Sequence, residues 1–328
     1  MDKQALTNSI SPAEPGKLLG KSFFLAIIFI VLFAGVLNQN LVSRSPLYID
    51  LMKQTAYARR GFDFAELEKI HNFPSRIIEE NGWALFGKGT RIIRNAPLPD
   101  MRKSSFFTIR KEAQEFTIII PVEFNSKAME YLNERANADI MHTAGVYFAG
   151  IGENWEIYFN GKLICSEMHL DEEGRITSYR FWRDLYLPIN REDIVGGVNV
   201  LAMRIVGDPA FESTGLRSRV HYIDDYRNIT RQQRNVFHIV QCAVFVFSSV
   251  MFLLIFFYIR SRHEIYYLLF SILSFLLCIY TIMRHGTINA LIPNSSVSRL
   301  IEYLSLILVI IALSLFVELS LRGKISLF

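Results

Sequence analysis

The chain contains 328 residues, of which 51% are hydrophobic and 20% are charged, and its formal net charge is +4. Residues 40–235 hold 26 basic and 26 acidic side chains, so the excess positive charge belongs to the rest of the chain. A region this close to neutrality lacks the basic surface that nucleic-acid binding requires, which excludes that class of partner.

The first apolar segment covers residues 22–38. Its sequence, SFFLAIIFIVLFAGVLN with LL just upstream, comes close to the roughly 20 residues that a helix needs to cross a bilayer. A cleaved signal peptide is the alternative, but the long tail before the segment and the lack of a clear A-x-A site favour an uncleaved anchor. We therefore expect a cytoplasmic tail at 1–21 and a transmembrane anchor at 22–38.

A long polar region follows the anchor. We expect a helical or irregular lead-in at 39–79, with a short helix at 64–71, and then a β domain at 80–228. Only Cys165 lies in this region, so it contains no internal disulfide. Its core must therefore provide its stability, and the region is long enough to form one.

Alternation of apolar and polar residues predicts two half-buried strands, at 115–124 and 199–206. The residues that would share the buried faces are Phe116, Ile118, Ile120, Val122 and Phe124 in the first strand, and Leu201, Met203 and Ile205 in the second. Pro121 lacks an N–H, so its strand should lie at an edge or contain a bulge there.

Residues 154–165 predict a β-hairpin. Asn160 and Gly161 stand between two β-rich runs and can adopt the two positive φ angles of a type I′ turn. Further elements are expected as strands at 84–87, 104–110 and 145–151 and as a helix at 127–138. Many short antiparallel strands with few helices predict an all-β sandwich of jelly-roll type.

Three more apolar segments, at 236–259, 265–283 and 300–319, are apolar on all sides, as in lipid-embedded helices. The fold class is thus a mixed membrane protein, with the sandwich between an N-terminal transmembrane helix and a bundle of three. The two sides of the membrane carry equal numbers of Lys and Arg near the span ends, so this count does not decide the orientation. The short basic loop at 260–264 does, because such a loop between two spans usually lies in the cytoplasm. Residues 40–235 are then extracytoplasmic, and the protein is multi-pass in the plasma (inner) membrane.

The residues offer no pattern for catalysis or for a metal. The seven histidines lack zinc-ligand spacing, and carboxylates that are merely adjacent in sequence do not indicate a shared catalytic cleft. We therefore expect no enzymatic activity, no cofactor and no metal site.

Three segments resemble a known type of domain: ENWEIYFNGK at 153–162, Pro188-Ile189, and GVNVLAMRI at 197–205. Their order and spacing are similar to those of galactose-binding-like jelly rolls. With membrane spans directly after the domain, the chain resembles the bacterial seven-transmembrane receptors with diverse intracellular signalling modules. That resemblance implies an extracytoplasmic sensory domain whose signal passes through the helices to a cyclase, kinase or phosphatase module.

The chain departs from that family in its membrane region, because three spans follow the domain instead of seven. Either the sequence is a fragment of a longer receptor, or it is a short relative that signals through a separate cytoplasmic protein or as a homodimer.

Trp182, Arg183 and Arg204 are the candidate ligand-binding residues. An aromatic ring beside a charge can stack on a sugar, and an arginine can donate hydrogen bonds to a hydroxylated or anionic ligand. The alternatives are edge packing for the tryptophan and simple solvation for Arg204. Trp155 shares a strand face with apolar residues, so we expect it in the core.

Two functions fit these observations. The first is a signal-transduction receptor that senses a small molecule or carbohydrate. The second is a carbohydrate-binding or adhesive module that is only tethered to the bilayer. A tether needs one span, and the presence of three after the domain favours the receptor.

Overall fold

The computed structural model describes residues 44–63, 83–86, 113–136, 142–207, 214–217, 220–233, 236–259, 265–285 and 288–322. The expected tail (1–21), anchor (22–38), short helix (64–71) and strand at 104–110 lie outside these residues. The described residues belong to one compact unit.

Six described strands form one antiparallel sheet, here called the large sheet. They are β2 (Ala56–Arg60), β3 (Ala84–Phe86), β4 (Gln114–Phe124), β6 (Asn154–Phe159), β7 (Lys162–Glu167) and β9 (Gly197–Gly207). Their order is β3-β2-β4-β9-β6-β7, and β4 pairs with β9 from Gln114 to Phe124. The strands predicted at 84–87, 115–124 and 199–206 and the hairpin at 154–165 are therefore confirmed.

The other five described strands form a second antiparallel sheet, here called the small sheet. They are β1 (Ile49–Asp50), β5 (His142–Gly152), β8 (Trp182–Asn190), β10 (Gly215–Leu216) and β11 (His221–Asp225). β8 pairs along most of β5, so β10 and β11, which also pair with β5, occupy its other edge. The strand predicted at 145–151 is the middle of β5.

Both sheets contribute to one buried core. The large sheet supplies Phe116, Trp155, Phe159 and Met203, and the small sheet supplies Val146, Phe148, Ile151 and Ile189. The two sheets therefore pack face to face. All the residues predicted to share the buried faces of the strands at 115–124 and 199–206 are buried, and so is Trp155.

The lead-in predicted at 39–79 is wrong in part. It contains β1, which pairs with β11, and β2, which pairs with both β3 and β4. β2 is only five residues long and ends in two arginines, so its sequence shows little alternation. It is a strand because β3 and β4 form backbone hydrogen bonds with it. The β domain therefore begins well before residue 80.

The prediction for the strand of Pro121 is wrong, because β4 lies inside the large sheet, between β2 and β9, and its register with β9 is unbroken at Pro121. Pro121 is nevertheless tolerated, because no described strand needs an N–H donor at this position. Val200 lies opposite Pro121, and both its N–H and its C=O are hydrogen-bonded to Asn160 and not to β4. Pro121 and Val200 are therefore a non-hydrogen-bonded pair, and the nitrogen of Pro121 faces away from β9. On that side, the pairing with β2 reaches only Ile119. The missing N–H therefore costs no hydrogen bond within the β2–β4 pair.

The turn at Asn160 and Gly161 has φ angles of 48° and 79°, as a type I′ hairpin requires. The Asn160 side chain also donates hydrogen bonds to the Asp193 carbonyl and to Oδ1 of Asn199. It thereby fixes the hairpin to the start of β9.

Helices complete the described structure: α1 (Ser126–Ala136), α2 (Tyr226–Gln233), α3 (Val236–Ile259), α4 (Ile265–Arg284), α5 (Ile288–Leu291) and α6 (Ser295–Arg322). The helix predicted at 127–138 corresponds to α1, whose start is capped by Asn125 accepting from the Ala128 N–H. The strands with α1 and α2 are called the β domain below.

Among the described helices, three are long and apolar enough to cross a bilayer: His238–Ile259, Ile265–Arg284 and Ser295–Leu319. They identify a membrane protein. α4 packs against both α3 and α6. The span predicted at 300–319 begins five residues too late. The first turn of α6 is polar, so hydropathy alone does not include it in the span.

Replacing Gly161 with Val tests the hairpin. A β-branched residue at φ 79° is strained, so we expect a loss of about 1–3 kcal/mol in the free energy of unfolding. Urea unfolding of the full chain in detergent measures it. Gly196→Val is the matched control, because an added Cβ there meets no atom within 4 Å. Equal stability of the Gly161 variant and the parent would contradict the turn assignment.

Candidate functional site

The candidate site is the junction between the β domain and the membrane helices, formed by residues 179–183 and 293–302. Besides the ion pair described below, four hydrogen bonds between described residues join the two segments. In the longest, Oγ of Ser295 donates to the Phe181 carbonyl (3.4 Å). The Ser295 N–H donates to the Tyr179 carbonyl (2.9 Å), the Phe181 N–H donates to Oγ of Ser295 (2.6 Å), and Nη1 of Arg180 donates to the Pro293 carbonyl (2.8 Å).

The local sequence explains why α6 begins there. Asn294 caps the helix by accepting the Ser296 N–H at its Oδ1 (3.0 Å), as asparagine commonly does at a helix start. The first N–H groups of a helix have no partner inside it. The β domain supplies one of the missing acceptors, the Tyr179 carbonyl.

An ion pair extends the junction two turns into α6. Nη2 of Arg183 lies 2.7 Å from Oε2 of Glu302, and the other carboxylate oxygen lies 4.0 Å from Nε of Arg284. The Glu302 side chain is 10% exposed and that of Arg183 is 25% exposed. A carboxylate this buried depends on its arginine partner, because either charge left alone would remain largely desolvated.

A break in the alternation of β8 directs Arg183 toward α6. Asp184 has a φ of 51°, a value that aspartate tolerates better than most residues. Trp182 and Leu185, on either side, both pack on the core. Arg183 is left on the outer face, and Oδ1 of Asp184 accepts a hydrogen bond from the Tyr147 hydroxyl (2.6 Å).

Phe181 fills the centre of the junction. The Arg299 guanidinium lies 4.3 Å from the ring centroid and that of Arg217 lies 5.8 Å away. A Cβ on Gly150 would come within 2.9 Å of Cζ of Phe181. Glycine at position 150 therefore gives the ring the space that it occupies.

A second, covalent link joins the β domain to the membrane through α2. Asp224, at the end of β11, accepts hydrogen bonds from both the backbone N–H and the hydroxyl of Ser45. Burial raises the pKa of Asp224, and the hydrogen bonds from Ser45 and Asp225 act in the opposite direction. These bonds hold the start of the described β domain beside its exit toward α3.

The three predicted ligand-binding residues do not come together. Trp182 and Arg183 lie in β8 of the small sheet, where they face opposite sides. Arg204 lies in β9 of the large sheet, paired with Glu115 (2.6 Å) and Glu156 (3.0 Å). A shared ligand site therefore has no geometric support, and a ligand-binding role for each residue stays a prediction.

Sequence reasoning missed the α6 half of the junction. Ser295, Arg299 and Glu302 are spaced four and three residues apart, so they lie on one helix face. Arg299 and Glu302 are also ionisable residues within a candidate span, which often mark function. Those two signals could have identified them.

No protein-family model and no curated protein matches the chain. A glycosyl hydrolase family 2 member from Bacteroides cellulosilyticus is similar in structure at 15% identity and a TM-score of 0.33, over 55% of this chain and 20% of that one. Ruminococcus gnavus β-glucuronidase is similar at 14% identity and a TM-score of 0.31, over 54% of this chain and 28% of that one. A calcium-binding mutant of Bacteroides uniformis β-glucuronidase 2 is similar at 11% identity and a TM-score of 0.33, over 56% of this chain and 18% of that one.

The chain thus spans under a third of the length of these enzymes, and likeness at this level carries no functional conclusion. They are glycoside hydrolases and not receptors of the family that the sequence resembles. Membership of that receptor family stays a prediction.

Arg183→Gln tests whether the ion pair holds the junction closed. Loss of the ion pair should lower the free energy needed to open the junction locally by about 1–2 kcal/mol. Amide hydrogen exchange there should then be about 5–30-fold faster. Hydrogen–deuterium exchange on peptides covering residues 179–183 measures this. Arg175→Gln is the matched control, because Arg175 pairs with Asp171 and Glu173 on an exposed turn. Similar exchange in both variants would exclude a role for the ion pair.

Proposed function

We propose that the protein is a bacterial membrane receptor for signal transduction. In this proposal the β domain, a jelly-roll sandwich, lies outside the cytoplasm and senses a small molecule or a carbohydrate. The membrane helices carry the resulting change inward, to a separate cytoplasmic signalling protein or to a second copy of the chain.

The observation that carries the proposal is the contact between residues 179–183 and α6. A module that is merely tethered needs only a linker. Here the β domain continues into α3 and also contacts the start of α6, through a hydrogen bond from the Ser295 N–H and an ion pair with Glu302. A displacement of β8 would therefore act on α6 directly.

The tethered carbohydrate-binding module remains the second candidate. Its supporting observation is that Arg204, Glu115 and Glu156 form a charged group on the large sheet. Charged side chains of this kind can bind a hydroxylated ligand without any link to the spans. The two candidates differ in whether binding changes α6.

The proposed topology places residues 40–235 outside and the 260–264 loop in the cytoplasm. After replacement of the native cysteines, single cysteines at Glu172, in an exposed turn, and at Ser261 test it. A membrane-impermeant maleimide added to intact cells should label Glu172→Cys at once and Ser261→Cys only after permeabilisation. The reverse pattern would overturn the topology and the sensory role outside the cell with it.

Ligand binding should alter hydrogen exchange at residues 293–302. Neutral monosaccharides, sugar acids and amino acids are first screened on the full chain, since a ligand of the native state raises the melting temperature. With a hit, Glu302→Gln should keep the thermal shift and lose the exchange change in α6. An exchange change confined to the β domain of the parent would favour the tethered module instead.

The same hit tests the predicted ligand residues. Trp182→Ala and Arg204→Ala each remove one of them from a different sheet. A thermal shift that survives in both variants would leave the receptor proposal standing and discard these residues as its binding site.

A further inference from the structure

Asp224 is a buried carboxylate that is hydrogen-bonded at only one of its two oxygens. Its exposed fraction is 1%. Oδ1 accepts hydrogen bonds from the Ser45 N–H (3.2 Å), the Ser45 hydroxyl and the Asp225 N–H (2.8 Å). Oδ2 is also buried, and among the residues that the structure describes none donates a hydrogen bond to it. Half of the carboxylate charge is therefore removed from water without a replacement donor.

The neighbouring charges add to this cost. Asp225, the next residue of β11, is a second carboxylate and is only 2% exposed. Burial and the Asp225 charge raise the pKa of Asp224, and the donors on Oδ1 offset them only in part. Asp225 has its own donors, the Tyr131 hydroxyl (2.7 Å) and the Arg227 N–H (2.8 Å).

The other groups packed around Asp224 supply no buried positive charge. Tyr48 and Tyr222 stack with ring centroids 5.5 Å apart, and burial is the main cause that raises the pKa of both phenols. Beyond them lie two further acids, Asp50 and Asp184, whose charges act on these phenols. Four described cations lie on the segments packed against β11, and all are exposed, so that water screens their charges: Arg44, Lys53, Arg227 and Arg231.

A buried carboxylate without a cationic partner commonly becomes neutral by binding a proton. A divalent metal ion is the other way to compensate it, but such an ion needs several ligands. In the described part of the chain, no three side chains of His, Cys, Asp or Glu come together in a metal-binding arrangement. A proton needs no further ligand, so it fits this position better.

We propose that Asp224 takes up a proton as the surrounding pH falls and thereby tightens the contact between residues 45–50 and β11. This contact holds the start of the described β domain beside its exit through α2 to α3. The inference goes beyond the receptor proposal, because the contact would respond to pH without any other ligand and in a tethered module as well.

The direction of the effect follows from the raised pKa of Asp224. When the contact opens, water solvates the carboxylate and its pKa returns toward the usual value of about 3.9. The closed contact therefore binds the proton more tightly than the open one. Acid should strengthen the contact as the pH falls through the raised pKa, and the gain should be complete below the ordinary pKa.

Hydrogen–deuterium exchange on the full chain in a maltoside detergent tests this at about pH 8 and about pH 5, with rates corrected for the intrinsic pH dependence of amide exchange. In the parent, peptides covering residues 45–50 and 221–225 should exchange about 3–10-fold more slowly at the lower pH, because one linked proton changes the opening equilibrium by at most about tenfold per pH unit. Asp224→Asn, which is neutral throughout, should exchange slowly at both pH values. The matched control Asp171→Asn, in an exposed turn with Arg175, should keep the parent's dependence.

Equal corrected rates in the parent at the two pH values would overturn the proposal. So would an unchanged pH dependence in Asp224→Asn, or fast exchange of that variant at both pH values. If Asp224→Asn does not fold, infrared spectra of Ser45→Ala recorded against pH decide. The Ser45 hydroxyl stabilises the carboxylate, so its loss should move the titration of a carboxyl band to higher pH, and an unchanged titration would exclude Asp224 as the proton site.

Discussion

The structure depends on one constraint: polar groups at the start of a membrane helix must find partners where water becomes scarce. α6 meets it with help from another part of the chain. Asn294 caps the helix, the Tyr179 carbonyl accepts the Ser295 N–H, and Arg183 pairs with Glu302. Because an unsatisfied group in this region is costly, the β domain contributes directly to the integrity of the span.

Within the part of the chain that the structure describes, both connections between the β domain and the membrane helices leave from the small sheet. β11 leads through α2 into α3, and β8 contacts α6, while both strands pair with β5. β5 also meets each connection at a glycine. Cβ atoms on Gly145 and Gly150 would come within 2.7 Å of Tyr226 and 2.9 Å of Phe181. A change in the twist of β5 would therefore reach both connections together.

Local patterns predicted most of the fold and little of the site. The period-two strands and the Asn160-Gly161 turn depend on neighbours in sequence, so composition and spacing revealed them. β2 is a strand through its partners, and the bond between Arg183 and Glu302 joins residues 119 positions apart, for which no local pattern exists. The sequence did single out Arg183, but its partner could come only from the tertiary structure.

The strength of the junction bears on whether it can transmit a signal. Among the described residues it consists mainly of four hydrogen bonds and one ion pair, each with a net contribution of about 0.5–1.5 kcal/mol. Their sum is a few kcal/mol, which is comparable to the coupling free energies of about 1–3 kcal/mol found between ligand sites. A contact of this strength keeps β8 on α6 in one state, yet ligand binding in the β domain could release it. A much stronger interface would resist any such change, and a linker alone would transmit none.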